Sequence, residues 1–110
     1  MAEVVKQTVG EGTEAQIVIT MLPLSGSGSS MTLSQLEWSC SFEGNKGKFI
    51  VEKENATMIN DNSYECIVDT GVTGKSADIK AVLTVEGIPT TNNNYRREVT
   101  PAISTNLEVV

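Results

Sequence analysis

Asp69 stands between an apolar pair and a Thr-Gly step, in the run Ile67-Val68-Asp69-Thr70-Gly71. A carboxylate presented this way can share one proton with its equivalent from a second copy, and such a dyad activates water against a peptide bond. A little further on, Gly74-Lys75-Ser76 has the form of the end of a phosphate-cradling loop, where backbone N–H groups and a lysine hold the phosphates. Cys40 and Cys66 are the two remaining candidates for nucleophilic or metal chemistry, and Asn55-Ala56-Thr57 fits the N-glycosylation acceptor pattern.

Each of these has a plainer reading. The first run resembles the catalytic tripeptide of aspartic proteases, whose small retroviral-type members are homodimers with one aspartate from each monomer. The likeness covers these five residues, and no glycine-rich flap or later apolar-apolar-Gly segment follows Gly71. Asp69 is therefore expected to accept backbone hydrogen bonds at a strand end, with Gly71 turning the chain. The phosphate-loop pattern requires a glycine where this chain has Asp69, and a carboxylate there repels phosphate. Without any histidine, two cysteines cannot complete an ordinary structural zinc site within one chain. The common general base and the common partner of a nucleophile are missing too. Both cysteines fall on the apolar side of expected strands, so free, buried thiols are expected. No secretion signal accompanies the glycosylation pattern. The expectation is a non-enzymatic protein with no catalytic, cofactor or metal site.

The elements that carry these residues are read from alternation. The chain has 110 residues, enough for one domain. Residues 1–13 are polar with scattered valines and read as an extended N-terminal arm, followed by a β-sandwich domain over residues 14–110. Residues 15–22 are apolar on both faces of a strand, which suggests burial on much of both sides. Leu36, Trp38, Cys40 and Phe42 then alternate with Glu37, Ser39, Ser41 and Glu43, the cleanest period of two in the chain. Gly44-Asn45-Lys46-Gly47 is turn chemistry, and residues 48–53 return as the second strand of a hairpin. A second hairpin joins residues 56–59, through Asn60-Asp61-Asn62-Ser63, to a strand in which Tyr64, Cys66 and Val68 share a face. A connection with one helical turn leads to the alternating Ile79, Ala81, Leu83 and Val85. Gly87, Pro89 and Asn92-Asn93-Asn94 mark a long loop, and residues 96–110, broken by Pro101, suit an edge strand or a bulge. This spacing predicts an all-β fold, a single antiparallel sandwich of the immunoglobulin-like or jelly-roll-like kind.

Charge narrows the partners. Fourteen acids face eight bases, for a net charge of −6, and the bases form no stripe that could follow a phosphate backbone. Nucleic acid is therefore not expected as a partner. Nor is a membrane, because no stretch is long and apolar enough to span a bilayer.

The second half of the chain carries a further likeness. Asn62-Ser63-Tyr64-Glu65-Cys66-Ile67-Val68-Asp69-Thr70 leads into a glycine-containing turn, then a strand ending in Gly87-Ile88-Pro89, then a loop and Arg96-Arg97-Glu98-Val99. This resembles small β-rich virion proteins of tailed phages and prophages of Bacteroides-type gut bacteria, the crAss-like phages among them. It is also similar to the amino-terminal attachment domains of some phage fibre and baseplate proteins. The likeness spans about residues 15–110 through short motifs. It implies a virion component assembled in the host cytoplasm, often as a homo-oligomer. Its role would be that of a decoration protein, adaptor or fibre-base subunit docking on capsid, fibre or tail subunits.

Two segments have the residue types for such contacts. Val4, Val5 and Val9 are apolar residues in an arm too polar to fold alone, and Tyr95, Arg96 and Arg97 bring together types enriched at interfaces. The alternatives are a carbohydrate- or surface-binding β-module, for which Tyr95 is the one good aromatic platform, and the small aspartic protease.

Overall fold

The computed structural model describes residues 6–21, 31–89 and 95–110. Among these, the chain forms β1 (Gln7–Val9), β2 (Glu14–Thr20), β3 (Glu37–Glu43), β4 (Lys48–Glu52), β5 (Thr57–Asn60), β6 (Ser63–Asp69), the single turn of helix α1 (Thr70–Thr73), β7 (Lys80–Pro89), β8 (Tyr95–Val99), β9 (Ile103–Ser104) and β10 (Leu107–Val109).

The alternating runs fold as strands because each has one face to bury. β3 pairs antiparallel with β4 on one side and with β7 on the other, which places Trp38 opposite Val85 and Cys40 between Val51 and Leu83. β8 extends this sheet beyond β7, giving the order β4-β3-β7-β8, and β9 pairs with the start of β7. β2, β6 and β5 form the second sheet, again antiparallel, in that order. The inward faces of the two sheets supply the core: Leu36, Trp38, Cys40, Phe42, Ala81 and Val85 from one, Ala15, Ile17, Tyr64, Cys66 and Val68 from the other. The Trp38 and Tyr64 rings meet edge to face with centroids 5.0 Å apart, a favoured aromatic geometry. The fold is thus an all-β sandwich. Its sheet orders follow the immunoglobulin-type pattern, with β2, β6 and β5 in the places of strands B, E and D, and β4, β3, β7 and β8 in those of C′, C, F and G.

Three departures from the sequence reading have physical causes. First, the described part of the arm is not free. Gln7–Val9 pairs in parallel with Leu107–Val109, the Gln7 N–H donates to Asn106 O at 2.8 Å and the Val110 N–H to Val9 O at 2.9 Å. Backbone groups of β10 need partners, and β1 supplies them, so Val9 packs partly buried against the core. This is also the one parallel pair among the described strands, which otherwise pair antiparallel. Second, Gly87 does not begin a loop. It takes a φ of +76°, open to glycine, and the register of β7 with β8 shifts between Val85 and Ile88, so a bulge carries the strand on to Pro89. Third, residues 96–110 are not one strand but parts of β8, β9 and β10, interrupted around Pro101 and by Asn106 at a φ of +60°.

Candidate docking site

The Asp-Thr-Gly run is part of the scaffold. Asp69 ends β6 and caps α1, its Oδ1 accepting the Gly71 N–H at 2.9 Å. Thr70 is fully buried. Its hydroxyl donates to Thr13 O at 2.6 Å and accepts the Gly12 N–H at 3.0 Å, which ties the turn between β1 and β2 to the end of β6. Gly74 has its N–H engaged by Thr70 O at 2.8 Å and adopts a φ of +74°. A Cβ there would run into the Lys46 side chain, so this glycine serves close packing. The Ser76 backbone bridges to Val109, with the Ser76 N–H donating to Val109 O at 2.9 Å. The amides of Gly74 and Ser76 are thus not aimed at a phosphate. Asn55 lies exposed in the short 3₁₀ turn Lys53–Asn55.

Cys40 and Cys66 are both free and buried, one on each inward sheet face. Burial, with the neighbouring Cys66 adding to it, pushes the Cys40 thiol up to about 12. Burial and the Glu65 charge push the Cys66 thiol up to about 11. Both are therefore neutral thiols near neutral pH and poor nucleophiles. Among the described residues no group of three or more His, Cys, Asp or Glu side chains is placed to hold a metal ion.

The candidate contact residues are not brought together. Val4 and Val5 lie outside the described residues. Val9 is partly buried on β1. Tyr95, Arg96 and Arg97 do share a strand, β8, with Tyr95 74 % exposed. The two arginines are occupied locally, Arg96 with Glu98 at 2.8 Å and Arg97 with Glu86 across the strand pair at 3.7 Å. Exposed pairs of this kind add little stability.

The feature that stands out is the outer edge of β2. Four strands end the two principal sheets, and three of them are blunted by devices that discourage pairing. β8 carries Arg96, Arg97 and Glu98 and is bulged against β7. β5 has four residues and an irregular register between Met58 and Asn60. β4 has five residues, bounded by Lys48 and Glu52. β2 runs for seven residues in unbroken register, from Glu14 opposite Asp69 to Thr20 opposite Ser63, with Glu14 its sole charge. On its far side no strand pairs with it among the described residues.

Beside this edge the two sheets gape. A groove of about 500 Å³ runs between β2 and the β7–β9 corner, with apolar walls from Ile17, Ile19, Met21, Leu83 and Ile103 and a polar end at Asn106. Val18 on β2 is 55 % exposed and Ile103 on β9 is 59 % exposed. The expectation of burial on both faces of this strand thus fails at Val18. An apolar residue on the outward face was the sequence signal for this edge, read there as two-sided burial. Comparison with protein-family models, with curated proteins and with solved structures finds no match.

Proposed function

We propose that this chain is a non-catalytic structural subunit that joins other virion proteins by strand addition at its β2 edge. The observation that carries the reading is the β2 edge itself, seven regular residues with no pairing strand beyond them among the described residues, beside an apolar groove. An added strand gains main-chain hydrogen bonds along β2, and its alternate side chains enter the groove. The capping bond from Asp69 to Gly71 and the burial of Thr70 support a scaffold role for the residues that resemble a catalytic tripeptide. The virion setting rests on the resemblance of residues 15–110 to small phage virion proteins. A sugar-binding role is less well supported, because Trp38 and Tyr64 are buried in the core and leave Tyr95 without a second exposed ring among the described residues.

The test uses Val18→Lys. This outward position tolerates a charge in the isolated domain, so the melting temperature should stay within about 2 °C of wild type. A lysine on an edge opposes strand addition. Purified phage particles carrying the variant should contain far fewer copies by quantitative mass spectrometry. Incorporation at the wild-type copy number, or absence of the wild-type chain from particles, refutes the proposal.

A further inference from the structure

We propose that the outer face of the β4-β3-β7-β8 sheet is a self-association surface, on which a second copy of this chain packs end for end. This goes beyond the docking of other virion proteins at β2, which belongs to the other sheet and stays open in such a pair.

Alternation fixes what this face presents. Ser39 and Ser41 on β3 point away from the core, while Trp38, Cys40 and Phe42 are buried. Pairing places Ser41 between Ile50 and Val82, and Ser39 between Glu52 and Thr84, with Val99 beyond Thr84. The middle of the face is thus small hydroxyl and aliphatic side chains, with Glu52 at its margin the sole charge. Ile50 and Val99 are 58 % and 57 % exposed, so no described element covers them.

The charges are sorted to the two ends. At one end Lys48 and Lys80 flank Glu43, and Lys46 stands in the turn between β3 and β4. Lys48 lies 3.7 Å from Glu43 and Lys80 2.7 Å from Asp78, so three lysines face two acids there. At the other end Glu37 stands directly opposite Glu86, with Glu52 one strand over and Arg97 3.7 Å from Glu86, so three glutamates face one arginine. Lys53, next along, turns to the Ser34 and Leu36 carbonyls, at 2.9 and 2.8 Å. Like charges directly opposite on a sheet destabilise it, so the Glu37–Glu86 pair is costly in the single domain and is relieved by a cation from outside. The spacing names the source. Cys40 pairs with Leu83; Glu37 and Glu43 lie three residues either side of the first, and Lys80 and Glu86 three residues either side of the second. A two-fold axis along that line lays Lys80 of each copy over Glu86 of the other and brings Lys48 beside Glu37. Ser41 then meets Ser39, and Val82 meets Thr84. Glu43 faces Glu37, but Lys48 and Lys80 stand on either side of that contact. An unrelated basic partner would relieve the acidic end alone, whereas a second copy matches both ends at once through one self-complementary contact.

The experiment measures association of the full chain by sedimentation across concentration, as wild type and as two double variants. Lys48→Glu/Lys80→Glu makes both ends acidic, and Glu37→Lys/Glu86→Lys makes both ends basic. Wild type should form a reversible dimer. Each double variant alone should associate at least about tenfold more weakly, and an equimolar mixture of the two should recover wild-type affinity within about threefold. The four positions are exposed, so both variants should keep the Trp38 fluorescence of the folded domain. Ile50→Lys, in the middle of the face, should give the same loss through a single exposed change. Val18→Lys should leave this dimer intact, so a failure of docking at β2 and a failure of this pair are read separately. A wild-type chain that stays monomeric at millimolar concentration overturns the proposal, as does a dimer that both double variants leave unchanged. Weakening in both with no recovery on mixing overturns the end-for-end arrangement.

Discussion

Replacement of Thr70 by valine tests the claim that the Asp-Thr-Gly run serves the scaffold. Valine has nearly the same shape as threonine, so the fully buried site gains no cavity. What it loses is the hydroxyl. The hydroxyl donates to Thr13 O at 2.6 Å, reaches Gly10 O at 3.3 Å and accepts the Gly12 N–H at 3.0 Å. Thr13 O keeps a second donor, the Thr70 N–H at 3.1 Å, so this carbonyl is not stranded. The Gly12 N–H loses its acceptor, but Gly12 is exposed and water can reach it. The net cost is then the loss of roughly two ordinary hydrogen bonds, about 1–2 kcal/mol. For a domain of this size that lowers Tm by about 4–8 °C. Urea unfolding followed by Trp38 fluorescence should show a lower midpoint with an unchanged slope. Thr70→Ser keeps the hydroxyl and gives up one buried methyl, about 0.8 kcal/mol, so serine should be the milder change. If valine lies within about 0.5 kcal/mol of wild type, or serine is the more damaging, the hydroxyl does not hold the β1–β2 turn to β6 and the scaffold account of this run fails.

Other outcomes follow from the same structure. Asp69→Asn should keep the cap on Gly71 and change stability by less than about 0.5 kcal/mol, whereas Asp69→Ala should cost about 1 kcal/mol; calorimetry distinguishes them. Trp38→Ala should cost about 3–5 kcal/mol and leave little native protein by near-ultraviolet circular dichroism, since the ring is buried against Tyr64. Trp38→Phe should cost well under half of that, because the indole Nε1 has no hydrogen-bond partner to give up. The thiols make stability fall at high pH. Their folded values, about 12 for Cys40 and about 11 for Cys66, lie above the ordinary 9.0, so from pH 9 upward the unfolded chain releases protons that the folded chain retains. The contribution is intact below pH 9 and is lost progressively as pH rises through the folded values. Unfolding midpoints of Cys40→Ala/Cys66→Ala should be flatter with pH over this range than those of wild type, and equal slopes would show that the thiols are not the cause.

Alternation was readable in the sequence wherever burial of one face enforced it. Leu36, Trp38, Cys40 and Phe42 are all buried on one side of β3, and the turn after Glu43 and the helical turn after Asp69 fall where glycine, asparagine and aspartate placed them. Gly87 was ambiguous for a physical reason. A residue that permits positive φ serves a loop and a bulge equally well, and which of the two forms depends on the neighbouring strand β8. The pairing of β1 with β10 left no local trace, since it joins segments at opposite ends of the chain through main-chain hydrogen bonds that no side-chain pattern records.

The misreading of β2 is the informative one. Apolar residues on both faces of a strand have two physical explanations, and sequence alone does not separate them. Either both faces are covered within the domain, or one face and its edge await a strand from elsewhere. The topology decides part of this. β6 covers one edge of β2, the core takes Ala15 and Ile17, and Val18 remains 55 % exposed with no pairing strand beyond it among the described residues. A solvated edge selected for solubility alone would carry lysine or a bulge in the middle, as the other outer strands carry charge or irregularity. β2 has Gln16, Val18 and Thr20 there, none of which opposes pairing. Among the described residues this is the outer strand that opposes pairing least, and under the proposed function it is there that Val18→Lys should be felt in assembly while leaving the isolated domain folded.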